Sequence, residues 1–564
     1  METKINTCNQ IYTTLIIMKK NQHLFKRLSN WVKPVMLVAF FLIGSITNSV
    51  FAQNWDQIIK SVASDTGAED WFGYSVAISG DYAIVGSCFE SHDATGGNYI
   101  FYAGSAYIFK NNAGTWSEVQ KIVASDRRFG DEFGNSVAIS GDYVIVGAGN
   151  GLDATGGNYL NMAGSAYIFK NNAGTWSEVQ KIVASDRDIY DNFGYPVAIS
   201  GDYVIVGATQ ESHDATGGNY LSQAGSAYIF KNNAGTWSEV QKIVASNRGI
   251  GDSFGLSVAI SGDYVIVGAG NDLDATGGNY LQDAGSAYIF KNNAGTWSEV
   301  QNIVASDRGI LDFFGYSVAI SGDYAIVGAY YEAHDATGGN YLNKAGSAYI
   351  FKNNAGTWSE VQKIVASDRG QLDNFGNSVA ISGDYAIVGA HWEAHNATGG
   401  EIRNKAGSAY IFKNTAGTWS QEQKIVASDR RVGDEFGNSV AISGDYVIVG
   451  AHWDDHDAPG GNVLYDAGSA YIFKNNTNVG IVVNSFGNSL IVYPNPTNGN
   501  FTVDIGAIYE NVEILITDIS GKMIESKTIS QSQVLTLSIE EPAGIYIVSI
   551  QAGYKKAVIR LVKE

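Results

Sequence analysis

Cysteine, proline and positive charge are all scarce in this 564-residue chain. Two cysteines, Cys8 and Cys88, cannot build a disulfide framework, so stability has to come from packing. Six prolines against 66 glycines, with 45% hydrophobic and only 16% charged residues, suit an ordered, turn-rich β protein and not a disordered one. Lys and Arg number 36 against 56 Asp and Glu, a net charge of −20. That argues against nucleic acid as a partner, because phosphate binding needs clustered cations. Beyond Ala52 no apolar run is long enough to cross a bilayer, and no segment keeps a 3.6-residue apolar period, so helices should be almost absent. Nucleophile elbow, phosphate loop and helical zinc pair are missing too, which argues against an enzyme.

What is present starts with an export signal. Lys19, Lys20, Lys26, Arg27 and Lys33 precede the apolar run Val35–Ile43, and Ser49-Val-Phe-Ala52 before Gln53 is a small-residue cleavage pattern. Residues 1–52 are therefore read as a signal peptide cut between Ala52 and Gln53. Met18-Lys-Lys makes a better initiator than Met1.

Repetition dominates the rest. The phrase FGxSVAISGDYxIVGA, with small variations, begins at Phe72, Phe133, Phe193, Phe254, Phe314, Phe375 and Phe436, a period of 60 or 61 residues. Each copy holds four strand-like runs, in the second copy Ser136–Ser140, Tyr143–Gly147, Ser165–Lys170 and Trp176–Val183. Gly141-Asp142 is a two-residue hairpin turn, and Asn171-Asn-Ala-Gly174 is a second turn. The first two runs are apolar or small throughout, whereas the fourth carries Glu178, Gln180 and Lys181, as an outer edge strand should. Radially repeated four-stranded sheets are propeller blades. The array opens with Trp55–Ser64, which aligns without gaps on the fourth run Trp116–Ser125, and it ends after a third run, Ser469–Lys474. A closed ring explains that permutation. The expected fold is all-β: a seven-bladed propeller of four-stranded blades over 53–477, closed by its N-terminal strand.

The motif FG…SVA…VGA…GSAYIF resembles the FG-GAP repeat of integrin α-chain propellers, in the variant common in bacterial surface proteins. Family members often carry a calcium loop, Asp-x-Asp-x-Asp-Gly, between the first and second strands. Here only Ser-Gly-Asp stands there, as at Ser200–Asp202, with too few oxygen ligands. No cofactor is expected, and calcium keeps only the possibility the family lends it. After a linker at 478–488, residues 489–564 read as a small C-terminal β-sandwich of about seven short alternating runs. Tyr493–Phe501, Asp518–Lys522 and Pro542–Tyr546, with Lys555-Lys556 near the end, resemble the sorting domain of the bacterial type IX secretion system. The resemblance implies that this secretion machinery is a partner, and that the product is secreted or held on the outer surface of a Gram-negative bacterium.

In an up-and-down blade the 1–2 and 3–4 turns share one face, which is nearly constant here. Variation gathers in the 2–3 and 4–1 connections on the other face. Loops on a rigid scaffold are where binding residues lie, and aromatic side chains anchor interfaces and sugar sites. The candidate binding residues are Tyr330, Tyr331, His334, His391, Trp392, His395, His452, Trp453 and His456. Drift in permissive loops explains the same variation equally well. His391 with His395, and His452 with His456, lack a third ligand at fixed spacing, so a metal is not expected. The expected function is binding or adhesion, to a glycan or a protein. A polysaccharide hydrolase with one unrepeated pocket and a purely structural surface protein are the alternatives.

Overall fold

Each repeated phrase folds as a hairpin because Gly-Asp supplies the positive φ that a two-residue turn needs. In blade 1, Phe72–Ser79 turns into Tyr82–Ser87 through Gly80, at φ +56°, with Ser79 paired to Tyr82. Ser105–Asn112 and Thr115–Ile122 complete the sheet in simple up-and-down order. The second strand is buried on both faces beyond its first residue, whereas the fourth alternates exposed and covered. The computed structural model describes residues 54–149, 157, 159–273, 280–456, 463–476, 486, 490–518, 522–553 and 555–563. Residues 1–52 and the Ala52/Gln53 site lie outside these, as does all of the 478–488 segment except Phe486.

Seven such four-stranded antiparallel sheets follow one another. In the seventh, Ser439–Ser443, Tyr446–Ala451 and Ser469–Asn476 are joined by Asn54–Ser61 from the start of the chain. This closing strand pairs antiparallel with Ser469–Asn476 and slips register between Gln57 and Ile59. Blade 1 has the same slip, where Ile108 faces Gln120 and Phe109 faces Glu118. The displaced strand thus reproduces the local β-bulge of an ordinary fourth strand.

Neighbouring blades touch along their inner ends. Gly104 forms a parallel bridge to Phe133, and equivalent bridges run round the ring to Gly468 with Phe72. Gly104 sits at φ +81°, and a Cβ there would lie 2.1 Å from the Phe133 carbonyl oxygen, so only glycine allows this approach. Between blades lies a shared apolar layer. Ile84, Ala106 and Ile108 of blade 1 pack with Phe133, Val137 and Trp176 of blade 2, and Tyr82 meets Trp176 edge-on at 5.4 Å. At the outer edge Gln120 clasps Trp176, giving a hydrogen bond to its carbonyl at 2.7 Å and accepting one from its amide at 2.8 Å. The same clasp recurs to Gln423 with Trp55.

A second compact unit contains Asn478–Glu564. It has five strands where about seven short ones were expected: Ile491–Tyr493, Asn500–Asp518, Met523–Ser538, Gly544–Ala552 and Lys555–Lys563. Two of them are long; Asn500–Asp518 runs on through an interruption of pairing between Asp504 and Tyr509, with Gly506 at φ +78°, across which its buried positions change phase. Phe501, Val503 and Ile505 before that interruption share one core with Val512, Ile514 and Ile516 after it. Phe486, inside the segment read as linker, is 4% exposed and belongs to the same core. The packed domain therefore starts a few residues earlier than 489.

Candidate functional site

The 2–3 connections carry two kinds of side chain at two positions. A buried acid stands third after each blade's second strand wherever the loop has its full length. Glu332 illustrates its surroundings. One carboxylate oxygen accepts from Ser347 Oγ at 2.6 Å and pairs with Lys363 Nζ at 2.9 Å. The other accepts from the His334 backbone N–H at 2.6 Å and lies 3.0 Å from His334 Nδ1. Lys363 reaches Asp307 at 2.7 Å, and Asp307 in turn accepts from the Tyr349 hydroxyl. Glu90 with Lys121, Glu211 with Lys242 and Glu393 with Lys424 repeat the arrangement, and Asp454 with Lys60 completes it across the ring closure. His334 and His395 are thus fastened to their own loops, His395 Nδ1 lying 2.9 Å from Glu393. His456 is buried at 7% exposure, its amide donating to Asp454 at 3.0 Å.

The first residue after each second strand turns toward the axis. Here the copies carry five different residue types: Cys88, Gly149, Thr209, Gly270, Tyr330, His391 and His452. Blades 5, 6, 7 and 1 fill this region with rings. Tyr330 packs on Tyr331 at 4.1 Å and on Tyr316 at 4.2 Å, and Phe313 closes on both tyrosines. His391 meets Trp392, whose Nε1 donates to Glu435 at 2.9 Å and whose ring lies 4.0 Å beneath Lys405 Nζ. His452 contacts Trp453, Trp71 and Tyr74, and Trp71 packs at a tilt on Phe89 at 4.3 Å. Tyr330, Tyr331, His391, Trp392, His452 and Trp453 therefore lie in one aromatic arc. These rings are half-buried or buried, not freely exposed, because they cover one another. Burial holds His391 and His452 down at about 3, so both are neutral at ordinary pH. Burial likewise pushes the Glu435 carboxyl up to about 7.

Opposite the arc, blades 2 to 4 have small residues at the same position. They leave a cavity of about 280 Å³ lined by Tyr74, Glu132, Asn135, Gly149, Asn192, Tyr195, Thr209 and Leu256. Four blades contribute, so the cavity lies at the axis. The exposed Met162 also lines it, so it opens on the variable face. The Tyr195 hydroxyl donates to Glu132. Burial, then the Glu132 charge, pushes the Tyr195 phenol up.

Trp71, Tyr74, Glu132, Asn135, Tyr195, Phe313 and Tyr316 were not among the sequence candidates. They sit on either side of the Phe-Gly of each phrase, where copies also differ (Trp71, Glu132, Asn192, Ser253, Phe313, Asn374, Glu435). That variation was visible within the chain. Its meeting with the 2–3 loops at the axis depends on the blades' radial arrangement.

The 4–1 connections carry a second buried acid. Asp131 is 2% exposed and accepts the Arg128 N–H at 2.6 Å, and Asp70, Asp191, Asp252, Asp312, Asp373 and Asp434 do the same in their turns. Burial raises every one of these carboxyls to about 7. Asp93, Asp214 and Asp335 of the Asp-Ala-Thr-Gly-Gly-Asn stretches close Asx-type turns, each accepting from the Thr two residues on.

Seven sheets in a ring, closed by a strand from the far end of the sequence, define a seven-bladed β-propeller. Residues 55–109, 116–169, 176–230, 237–290, 297–351, 358–412 and 419–473 match the model of the FG-GAP repeat, and the chain belongs to that family. Each matched segment starts with the fourth strand of one blade and runs through three strands of the next, the offset that closes the ring. Residues 491–564 match the secretion system C-terminal sorting domain. The protein is accordingly secreted or attached at the outer cell surface, and its sorting domain implies a partner in the type IX secretion machinery. No helix among the described residues is long and apolar enough to cross a membrane. No curated protein matches the chain.

Proposed function

We propose that this protein is a non-enzymatic binding or adhesion module, exported through the 1–52 signal peptide, that recognises a surface glycan or protein at the axial end of its variable face. The observation that carries this reading is the lopsided mouth: an aromatic arc from blades 5, 6, 7 and 1 beside a polar cavity opened by blades 2 to 4. Rings held in place by one another lose little freedom on binding, which favours stacking against a ligand. Drift alone would not be expected to gather large rings on one side of the axis and small residues on the other. A hydrolase would need two carboxyls flanking one bond, about 5 to 9.5 Å apart. Glu132 and Glu435 are instead each engaged by an aromatic donor of their own side, Tyr195 and Trp392.

A glycan-array and host-matrix screen with the full chain, with and without calcium, tests the reading. Saturable binding that weakens about 30-fold (about 2 kcal/mol) on Trp392→Ala with Trp453→Ala is the expected result. Absence of binding by the folded protein in both conditions would defeat it.

A further inference from the structure

Most buried polar atoms without a partner recur from blade to blade and so belong to the repeat. The indole N–H of Trp116, Trp176, Trp237 and their equivalents and the guanidinium Nε of Arg127, Arg248 and Arg369 are of this kind. Asn135 is different. It is 5% exposed, lines the axial cavity, and neither its amide nitrogen nor its amide oxygen meets a protein partner. The asparagine at the same place in blade 6, Asn377, also leaves its oxygen unmatched, but its nitrogen donates to the Gly437 and Asn438 carbonyls at 3.3 and 3.1 Å. The other cavity asparagine, Asn192, leaves its side-chain oxygen unmatched, but so does Asn374 at the same place in blade 6, so Asn135 alone sets the cavity apart. Buried amides are left unmatched at a cost, and the usual remedy is water or a ligand that offers hydroxyls.

We propose that this cavity is a subsite for one neutral hydroxylated ring, a hexopyranose unit of a glycan. The proposal rests on the binding reading above and names where the sugar's end would sit. A volume of about 280 Å³ holds about nine waters at ~30 Å³ each and lies just under the range of drug-sized ligands, so it suits a single ring. An asparagine offers a donor and an acceptor together, the pair that a ring hydroxyl needs. Glu132 and Asn192 add acceptors, while Tyr195 and Leu256 give an apolar wall for a sugar's C–H face. The lining holds one acid and no Lys or Arg, which disfavours uronic and sialic acids. Gly149 lets the Tyr195 wall pack close against the backbone: a Cβ there would lie 2.7 Å from the Tyr195 ring.

The test is saturation-transfer NMR and competition binding by the full chain with D-glucose, D-galactose, D-mannose and D-glucuronate as probes. Three variants accompany it: Asn135→Leu, Thr209→Tyr and Trp453→Ala. Thr209→Tyr fills the cavity with the side chain that blade 5 already carries at the same place, Tyr330, so the fold should accept it. The expected result is millimolar binding of at least one neutral hexose. Asn135→Leu and Thr209→Tyr should each lower it at least tenfold with unchanged thermal unfolding, and glucuronate should bind more weakly than the hexose. Hexose binding that both variants leave intact would overturn the subsite, as would preference for glucuronate. Glycan retention lost in Trp453→Ala but kept in both cavity variants would refute the subsite and leave the binding reading standing. Failure of every glycan and every hexose to bind the folded chain would remove the subsite, and failure of the host-matrix proteins as well would remove the binding reading.

Discussion

At the level of single residues, the ordinary-looking acids divide into groups with opposite titration behaviour. The seven carboxyls from Asp70 to Asp434 are raised to about 7 in the folded chain, against about 3.9 when unfolded. A raised carboxyl means that the folded state binds the proton more tightly. Its stabilising contribution is complete below about pH 4 and is lost as pH climbs to about 7. His391 and His452, lowered to about 3, act in the reverse sense below pH 6.5, but they are two against seven. Asp65, Asp186, Asp307 and Asp429, lowered by their lysine and tyrosine partners against the opposing effect of burial, lose their contribution only below the usual carboxylate range. Melting temperature should therefore rise from pH 7.5 to pH 5. Asp131→Asn keeps an acceptor for the Arg128 N–H, so it should stabilise the protein at pH 8 by about 1–2 kcal/mol and reduce that slope. A melting temperature that falls steadily from pH 7.5 to 5 would contradict this assignment. The Glu332–Lys363 pair makes a second test. Glu332→Ala should cost about 3 kcal/mol in denaturant unfolding, the low end for breaking a buried pair because Asp307 still faces Lys363.

The residue scale also shows where sequence reading stops. His334 and His391 both lie in variable loops among aromatic and acidic neighbours, and nothing in the string separates them. Only the fold shows that one is fastened to Glu332 while the other is buried beside the axis with Trp392. Likewise Asn135 and Asn377 occupy the same register, yet one finds carbonyls and the other faces a cavity.

Among elements, the strands were readable because hairpin turns and a strict period mark them. Ser136–Ser140 is found as expected, and the third and fourth strands shift by one or two residues at their ends. The sorting domain was harder. Its longest strand runs on through a stretch where the buried alternation lapses and changes phase, so one strand reads as two. The closing strand carries a prediction of its own. Ile59 stands where every other fourth strand has the clasping glutamine, so the seam between blades 7 and 1 lacks the paired hydrogen bonds to Trp116. The Trp116 amide should exchange with deuterium faster than those of Trp176, Trp237, Trp297, Trp358 and Trp419, which all reach a glutamine. Equal protection at all six would show that the clasp contributes nothing.

For the propeller as a whole, the ring architecture was legible in the seven copies and the permuted fourth strand. The site was legible only as a face. The axial position collects residues from seven places about 60 apart in sequence, and their convergence is a property of the ring. The constant face offers a built-in comparison, since Tyr82, Tyr143 and Tyr203 begin the second strands beside its turns. Hydroxyl-radical footprinting of the full chain, free and bound to the glycan or matrix protein that the array selects, separates the two faces directly. Binding at the axial mouth should protect Trp71, Phe89, Tyr331, Trp392 and Trp453 and leave Tyr82, Tyr143 and Tyr203 unchanged. Protection confined to the tyrosines of the constant face would contradict the central claim.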